Sequence, residues 1–331
     1  MSGHPLHLLL TALGTPNSCF VLGAGASSPE VPTIAQLPDR LAPYAAQLGS
    51  FPARAIPDSP LRHLIAPLIG RARVTTSLDE WKAAGMTDST IAVLLEHMIA
   101  AAHWQPLVQY SVFRLLPTNA AVVSFNWDGL AFVRCPQAEV LHPHGRLRPR
   151  HVVPGALDDA LDTSQLIDGP DSRNWILPGL VLPGEEEAPR LRRVREKVLR
   201  LWESALSVTV IGYSFGLNSG LRYDQVWLDT FVEAMKLNKR APLHILSPDA
   251  EDLRGHLVER IKRTINVHAW PYRWNALAAA LETTSRRARA RTIDELRVDA
   301  AALDILARTV GDESVAAYCS REIDERGGWA E

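Results

Sequence analysis

The chain has 331 residues, of which 47% are hydrophobic and 22% are charged. These values exclude an intrinsically disordered chain and are typical of a globular protein with one large α/β domain and a smaller accessory module. The formal net charge of −2 gives no general attraction to nucleic acid or to anionic lipid, so we expect direct binding to neither.

The three cysteines, Cys19, Cys135 and Cys319, show no CxxC spacing. The sequence therefore predicts neither a four-thiolate zinc site nor a disulfide framework, and we expect no bound metal. A short apolar run at 8–10 has no lysine or arginine before it, and no apolar stretch approaches the roughly 20 residues of a membrane helix. We therefore expect a cytoplasmic protein with no membrane partner.

A buried strand that leads into a glycine turn is predicted near the N-terminus. Residues 19–22 form an apolar run that enters the segment GAGAS at 23–27. Such a turn at the start of a helix lets backbone N–H groups approach a pyrophosphate. A tight turn without a ligand is the alternative, because the third glycine of the common dinucleotide fingerprint is absent and Ser28 stands in its place.

Five further apolar segments predict strands that alternate with helices. They lie at 120–125, 139–141, 207–211, 243–246 and 265–270. Helices are expected at 191–206, through Val226 to Phe231, and after 247–249, where the proline is expected at the first helical position. The pattern predicts an α/β fold: a Rossmann-like parallel sheet with helices on both faces, formed by residues 1–40 and 119–275.

Two helical segments lie outside this sheet. Residues 41–118 predict a helical insertion module, with a capping box at 77–80 and an apolar stripe at 91–98. Residues 276–331 predict a helical tail that carries an arginine cluster at 286–291. A solvated face is the favoured interpretation of that cluster, and a docking surface is the alternative.

Polar motifs follow two of the predicted strands, and ligands of parallel sheets bind at the carboxyl ends of strands. Asn126 and Asp128 follow the second strand, and His144 follows the third. Helix capping is the alternative role for the first motif, whereas an amide at a strand end can position a water or a ribose hydroxyl. Histidine is the natural general base near neutral pH. The alternatives are a structural loop histidine or, with His151, a metal ligand.

The order of four motifs resembles the sirtuin-like family. They are GAGAS at 23–27, SFNWD at 124–128, LHPHG at 141–145 and VIGYSF at 210–215. The likeness is greatest to the zinc-free bacterial branch associated with antiphage defence, and it covers about residues 19–275. The resemblance implies that NAD is the substrate and that its nicotinamide–ribose bond is cleaved, giving nicotinamide and ADP-ribose.

The resemblance also implies roles for individual positions. His144 matches the catalytic histidine, and Asn126 and Asp128 match the Asn-x-Asp pair that handles the nicotinamide ribose. The remaining matched positions are expected to bind the dinucleotide: Gly23, Ala24, Gly25, Ala26 and Ser27 at the phosphates, Pro32 and Thr33 after that loop, Gly212 and Ser214 near the adenosine, and Ser247 at the adenine ribose.

The chain departs from the family pattern at several points. Glu30 stands where a glycine is usual, and the Phe-Arg pair and the four zinc cysteines are missing. These departures argue against lysine deacylation and leave NAD hydrolysis as the expected activity. The implied role is defence by depletion of cellular NAD. We expect this activity to be gated by a homo-oligomer or by a partner such as a helicase-like ATPase or an Argonaute-like protein.

Two other functions are compatible with the sequence. GYSFG at 212–216 is a G-x-S-x-G motif after a strand, as in serine hydrolases, and Ser214, Asp249 and His268 would then form a triad. No HGGG-type oxyanion segment accompanies this motif. The second alternative is a non-catalytic sensor module that binds NAD or ADP-ribose.

Overall fold

A sheet of six parallel strands forms the centre of the protein. The computed structural model describes residues 5–28, 31, 33, 108–147, 175–176, 189–217, 224–262 and 266–287. The sheet strands are β1 (Ser18–Leu22), β2 (Ala121–Ser124), β3 (Glu139–Leu141), β6 (Ser207–Ile211), β7 (Leu243–Leu246) and β8 (Val267–Trp270). Two further strands, β4 (Arg146–Leu147) and β5 (Trp175–Ile176), pair antiparallel.

Helices connect these strands. They are α1 (Pro5–Gly14), α2 (Ala24–Ser27), α3 (Val108–Ser111) with the following 3-10 turn Val112–Leu115, α4 (Leu130–Arg134), α5 (Pro189–Ser204), α6 (Gln225–Leu237), α7 (Ala250–Ile261) and α8 (Trp274–Arg287). No helix within these described parts of the chain is both long enough and apolar enough to cross a bilayer.

The strand order is β3-β2-β1-β6-β7-β8, and all five neighbouring pairs are parallel. This is a doubly wound arrangement, in which the direction of winding reverses between β1 and β6. The predicted α/β class with a Rossmann-like parallel sheet is therefore confirmed. The reversal leaves the carboxyl ends of β1 and β6 side by side, which is where ligands of such sheets bind.

Both faces of the sheet are covered, and the central strands are therefore continuous apolar runs rather than alternating ones. On one face, Val208 and Val210 of β6 pack with the helical side chains Trp202 and Phe231, whose rings meet edge to face at 5.0 Å. On the other face, Phe20 of β1 contacts Phe113 at 5.9 Å between ring centroids. Phe113 in turn contacts Trp274 of α8 at 5.5 Å.

Several predicted boundaries differ from those observed. The helix after β7 begins at Ala250 with Asp249 as its N-cap, so the prediction that Pro248 occupies the first helical position is wrong. The Ser247 carbonyl accepts from the Ala250 N–H at 3.0 Å, and this turn holds the proline outside the helix. Strand β8 starts at Val267, two residues later than expected.

The proposed domain division stays a prediction. Its boundary at 275 falls inside α8, which starts at Trp274 and packs against the end of the predicted insertion through Phe113. Within that insertion, the described residues 108–115 are helical. The capping box at 77–80, the stripe at 91–98 and the tail beyond 287 lie outside the described residues.

Candidate functional site

Two glycine loops meet backbone to backbone at the point where the sheet reverses. The Gly25 N–H donates to the Gly212 carbonyl at 3.1 Å, and the Gly23 N–H donates to the Ile211 carbonyl at 3.0 Å. A Cβ on Gly23 would lie 2.5 Å from the Gly212 oxygen, and one on Gly25 would lie 2.8 Å from the Gly212 Cα. Gly212 itself has a φ of +59°. These contacts require glycine whether or not a phosphate binds, because no side chain fits between the loops.

The Ser27 hydroxyl contacts three side chains, two from the loop after β2 and one from α3. It donates to Asp128 Oδ2 at 2.8 Å, accepts from Asn126 Nδ2 at 2.8 Å, and lies 2.8 Å from the Tyr110 hydroxyl. All four residues are buried. Asp128 also accepts at Oδ1 from the Leu130 N–H at 3.0 Å, so both of its oxygens are engaged within the protein.

The direction of each hydrogen bond in this cluster follows from the number of protons and acceptor positions on the Ser27 hydroxyl. A hydroxyl has one proton and two acceptor positions. Because the Ser27 proton goes to the Asp128 carboxylate, Asn126 and Tyr110 must both donate to Ser27. Asn126 therefore turns its amide nitrogen toward Ser27, and its carbonyl oxygen points away. That oxygen, Oδ1, has no hydrogen-bond partner among the described residues although Asn126 is only 5% exposed.

An unpartnered buried acceptor costs free energy unless a donor reaches it. The position of Asn126 directly after β2, next to the reversal point, makes a ligand hydroxyl or a water the natural donor. The site is therefore chemically suited to recognise a hydroxyl-bearing ligand such as a sugar. The phosphate-binding role of Ser27 stays a prediction, and its hydroxyl is not free for it because it is engaged with Asp128, Asn126 and Tyr110.

His144 lies beside the same stretch of chain. Its imidazole hydrogen-bonds to the backbone of Phe125, the residue before Asn126, and the two rings meet edge to face at 5.0 Å. Trp227 of α6 covers it at 6.3 Å between centroids, and His144 is 3% exposed. Burial lowers the pKa of His144 to about 3, so the ring is neutral at physiological pH.

A buried carboxyl group faces the other side of this imidazole. His144 Nε2 lies 3.4 Å from Asp224 Oδ1, and the same oxygen accepts from the Tyr213 hydroxyl at 2.8 Å. Burial raises the pKa of Asp224 to about 7. Burial thus favours the neutral form of both partners, an imidazole and, below about pH 7, a carboxylic acid.

Four residues of this region were missed by sequence reasoning: Tyr110, Gln109, Tyr213 and Asp224. Gln109 Nε2 donates to the Ser27 carbonyl at 3.4 Å, and Asp224 precedes α6. Tyr213 stood within the VIGYSF motif, but only the glycine and the serine of that segment were singled out. The others follow no strand and belong to no motif, so the sequence held no local signal for them.

The remaining predicted positions are spread around the same edge of the sheet. Ser214 follows β6 and is half-buried, and the Ser247 hydroxyl accepts from the Asp249 N–H at 3.2 Å. Ala24 and Ala26 lie in α2, with Ala26 fully buried. Thr33 is half-buried, and Pro32 lies outside the described residues.

The serine-hydrolase triad is not assembled. His268 lies within β8, paired in register with His244, and its ring stacks on His244 at 5.2 Å rather than lying at the carboxyl edge near Ser214. A nucleophile elbow places strain on the serine. Here the positive φ angles fall on Gly212, Phe215 and Gly216, and not on Ser214.

No group of three or more metal-ligating side chains occurs within the described parts of the chain. His144, predicted with His151 as an alternative metal ligand, is buried and packs against Phe125, and His151 lies outside the described residues. Fold and site together define a doubly wound α/β protein with a buried hydrogen-bonded cluster of Ser27, Tyr110, Asn126 and Asp128 next to its reversal point.

Comparison with known proteins gives likeness to solved structures alone, since no family model and no curated protein matches. A Sir2 homologue in complex with NAD has 15% identity and a TM-score of 0.41, over 85% of this chain and 94% of that one. A mutant Sir2 homologue in complex with ADP-ribose has 16% identity and a TM-score of 0.42, over 86% of this chain and 97% of that one. A Sir2 protein bound to a propionylated peptide has 15% identity and a TM-score of 0.33, over 81% of this chain and 92% of that one. Likeness at this level assigns neither family nor activity to this chain.

Proposed function

We propose that the protein is an NAD glycohydrolase that cleaves the nicotinamide–ribose bond. The observation that carries the proposal is the buried Asn126 Oδ1, an acceptor without a partner among the described residues, fixed in direction by Ser27 and Asp128. It follows β2, the strand next to the reversal point of the doubly wound sheet, and dinucleotides bind at such reversal points. The motif order from 23 to 215 supplies the second line of support.

In the proposed reaction the bond between ribose C1′ and the nicotinamide nitrogen breaks, and its electron pair neutralises the pyridinium ring. The oxygen of a water molecule forms the new bond to C1′, and the products are nicotinamide and ADP-ribose. Asn126 orients the water or the ribose hydroxyl through Oδ1. His144 accepts the proton released, and Asp128 supports Asn126 through Ser27. The N-terminus of α2, through the Ala24 N–H, is the proposed contact to the pyrophosphate, because the Gly23, Gly25 and Ala26 N–H groups already donate to backbone carbonyls.

The test is nicotinamide release from NAD, followed by chromatography over a range of protein concentrations. Asn126→Ala and His144→Ala should each lower turnover at least about hundredfold, as expected for a positioned acid–base group. His244→Ala is the matched control, because His244 is as buried as His144 but lies in the middle of β7. Full turnover in both site variants would sink the proposal.

A non-catalytic sensor of NAD or ADP-ribose is the second candidate. The observation that favours it is the burial of His144 behind Trp227, since a catalytic imidazole must reach its substrate. Calorimetry separates the two functions: a sensor binds NAD and ADP-ribose and releases no nicotinamide at any protein concentration. Binding of both ligands that depends on Asn126, without turnover, would establish the sensor.

A role in antiphage defence is proposed as well, and its support is the resemblance of the four sequence motifs to the defence-associated branch of the sirtuin-like family. Depletion of NAD is harmful to the cell, so we propose a cytoplasmic enzyme that is silent until it assembles with itself or with a partner. A helicase-like ATPase or an Argonaute-like protein is the proposed partner class. Turnover that rises steeply with protein concentration would indicate self-assembly, whereas turnover that appears only with a partner would indicate gating in trans.

A further inference from the structure

We infer that Tyr110 is a positioning residue for Asn126, acting through the hydroxyl of Ser27. Tyr110 belongs to α3, in the stretch predicted as a separate helical insertion, and no sequence motif includes it. The inference rests on the proposed function, because it concerns how the chain holds Asn126 toward a sugar. It assigns part of the site to a segment outside the predicted NAD-binding domain.

The Tyr110 hydroxyl reaches two polar side chains, those of Ser27 and Asn126. It lies 2.8 Å from Ser27 Oγ, and both residues are completely buried. The Tyr110 ring packs against Phe113 at 5.7 Å between centroids. Helix α8 contacts α3, because Trp274 Nε1 donates to the Gln109 carbonyl at 2.8 Å. The phenol is therefore fixed in a dry environment with Ser27 as its acceptor.

This contact completes the hydrogen bonding of Ser27. The single proton of Ser27 goes to Asp128, one acceptor position takes Asn126, and Tyr110 fills the other. With all three directions occupied, the hydroxyl cannot rotate without breaking a buried hydrogen bond. The amide of Asn126 is thereby held with Nδ2 inward, and Oδ1 stays directed at the ligand.

Removal of the phenol hydroxyl leaves one acceptor position of Ser27 unmatched. The serine can then rotate or admit a water, and the amide of Asn126 loses its fixed anchor. Misplacement of a reacting group by a fraction of an ångström to an ångström lowers the rate of the chemical step more than it lowers substrate affinity. The expected signature is a loss in kcat at nearly constant KM.

The experiment is steady-state NAD hydrolysis by Tyr110→Phe, which keeps the ring and removes only the hydroxyl. We expect kcat to fall about tenfold and KM to change by less than about twofold. Ser18→Ala is the matched control: it removes another buried hydroxyl, one without a hydrogen-bond partner among the described residues, from the start of β1. Its kcat should equal that of the wild type.

A second background makes the result specific. In Ser27→Ala, addition of Tyr110→Phe should lower kcat no further, because Tyr110 acts through Ser27. A further tenfold loss of kcat in the Ser27→Ala protein would overturn the inference. A wild-type kcat in Tyr110→Phe would also overturn it. So would a loss of kcat in Tyr110→Phe that matches the fraction of unfolded protein measured by circular dichroism. A wild type that releases no nicotinamide would instead overturn the proposed function, and this inference with it.

Discussion

At the scale of single residues, one serine hydroxyl determines what the site offers to a ligand. Ser27 gives its proton to Asp128, so the amide of Asn126 must present its nitrogen to Ser27 and its oxygen away from Ser27. The polarity of the site therefore depends on Asp128 being ionised. Burial raises the pKa of Asp128 to about 6, close enough to physiological pH for the arrangement to be titrated.

This dependence predicts that NAD turnover rises with pH through about 6. Below that pH the protonated Asp128 no longer takes the Ser27 proton, and the two acceptor positions of Ser27 are already filled by Asn126 and Tyr110. Asp128→Asn should have low turnover and no inflection near pH 6. The measurement is the pH profile of kcat/KM, with Asp224→Asn as the reference that keeps this inflection. An inflection near 6 that survives in Asp128→Asn would contradict the assignment.

Residue identities at the site were predictable only in part. Asn126, Asp128 and His144 were found because each follows a predicted strand, and a parallel sheet gathers strand ends at one edge. Tyr110 lies 83 residues from its partner Ser27 in the chain, and Asp128 lies 101 residues from Ser27. No local pattern encodes such a pairing. The bond from Tyr110 exists because α3 and α8 pack on the same face of the sheet.

At the scale of elements, the fold depends on two loops that touch through glycine. The loop after β1 and the loop after β6 are neighbours because winding reverses between these strands. Their backbones approach so closely that a Cβ on Gly212 would lie 2.5 Å from the Gly25 Cα. The glycines of GAGAS thus have a packing reason as well as the proposed phosphate-binding one.

Substitution of a glycine in this close contact and of a glycine outside it should have opposite effects on the free energy of unfolding. Gly212→Ala should lower the free energy of unfolding by at least about 2 kcal/mol, because it combines a positive φ with a backbone clash. Gly255→Ala should raise it by about 0.5–1 kcal/mol, since Gly255 is exposed within α7 and a Cβ there meets nothing within 4 Å. Urea unfolding of both variants beside the wild type measures the difference. Equal effects would show that the loops do not pack as described.

At the scale of the whole molecule, the buried histidines and the buried carboxyl groups have opposite effects on how stability changes with pH. Burial lowers the pKa of His144 and His244 to about 3 and raises the pKa of Asp128 and Asp224 to about 6 and 7. Near pH 5 the unfolded chain gains protons on these histidines, whereas the folded chain keeps them on these carboxyl groups. The contribution of the histidines to the free energy of unfolding is lost as pH falls from about 6.5 toward 3. The contribution of the carboxyl groups is lost as pH rises from about 4.

Removal of one histidine should therefore expose the contribution of the carboxyl groups. His244→Phe keeps a ring to stack on His268 and Trp270 while removing one titrating group. The slope of unfolding free energy against pH, between about pH 4 and 6, should fall by about 1.4 kcal/mol per pH unit relative to the wild type. Urea unfolding across that range measures it, with the exposed His256→Phe on α7 as the reference. An unchanged slope would mean that His244 is protonated in the folded protein.

The amino-acid sequence by itself determined the sheet, because short apolar runs such as 207–211 and 243–246, alternating with helical segments, are typical of a parallel sheet covered on both faces. It also indicated that Asn126, Asp128 and His144 follow strands and so lie at the carboxyl edge. Only the tertiary structure decided how those residues are oriented. The direction of the Asn126 amide, the burial of His144 against Asp224 and the place of Tyr110 in the site depend on contacts between elements far apart in the chain. Hydrogen bonds at such separations are set by the packing of helices and strands, which local sequence patterns do not encode.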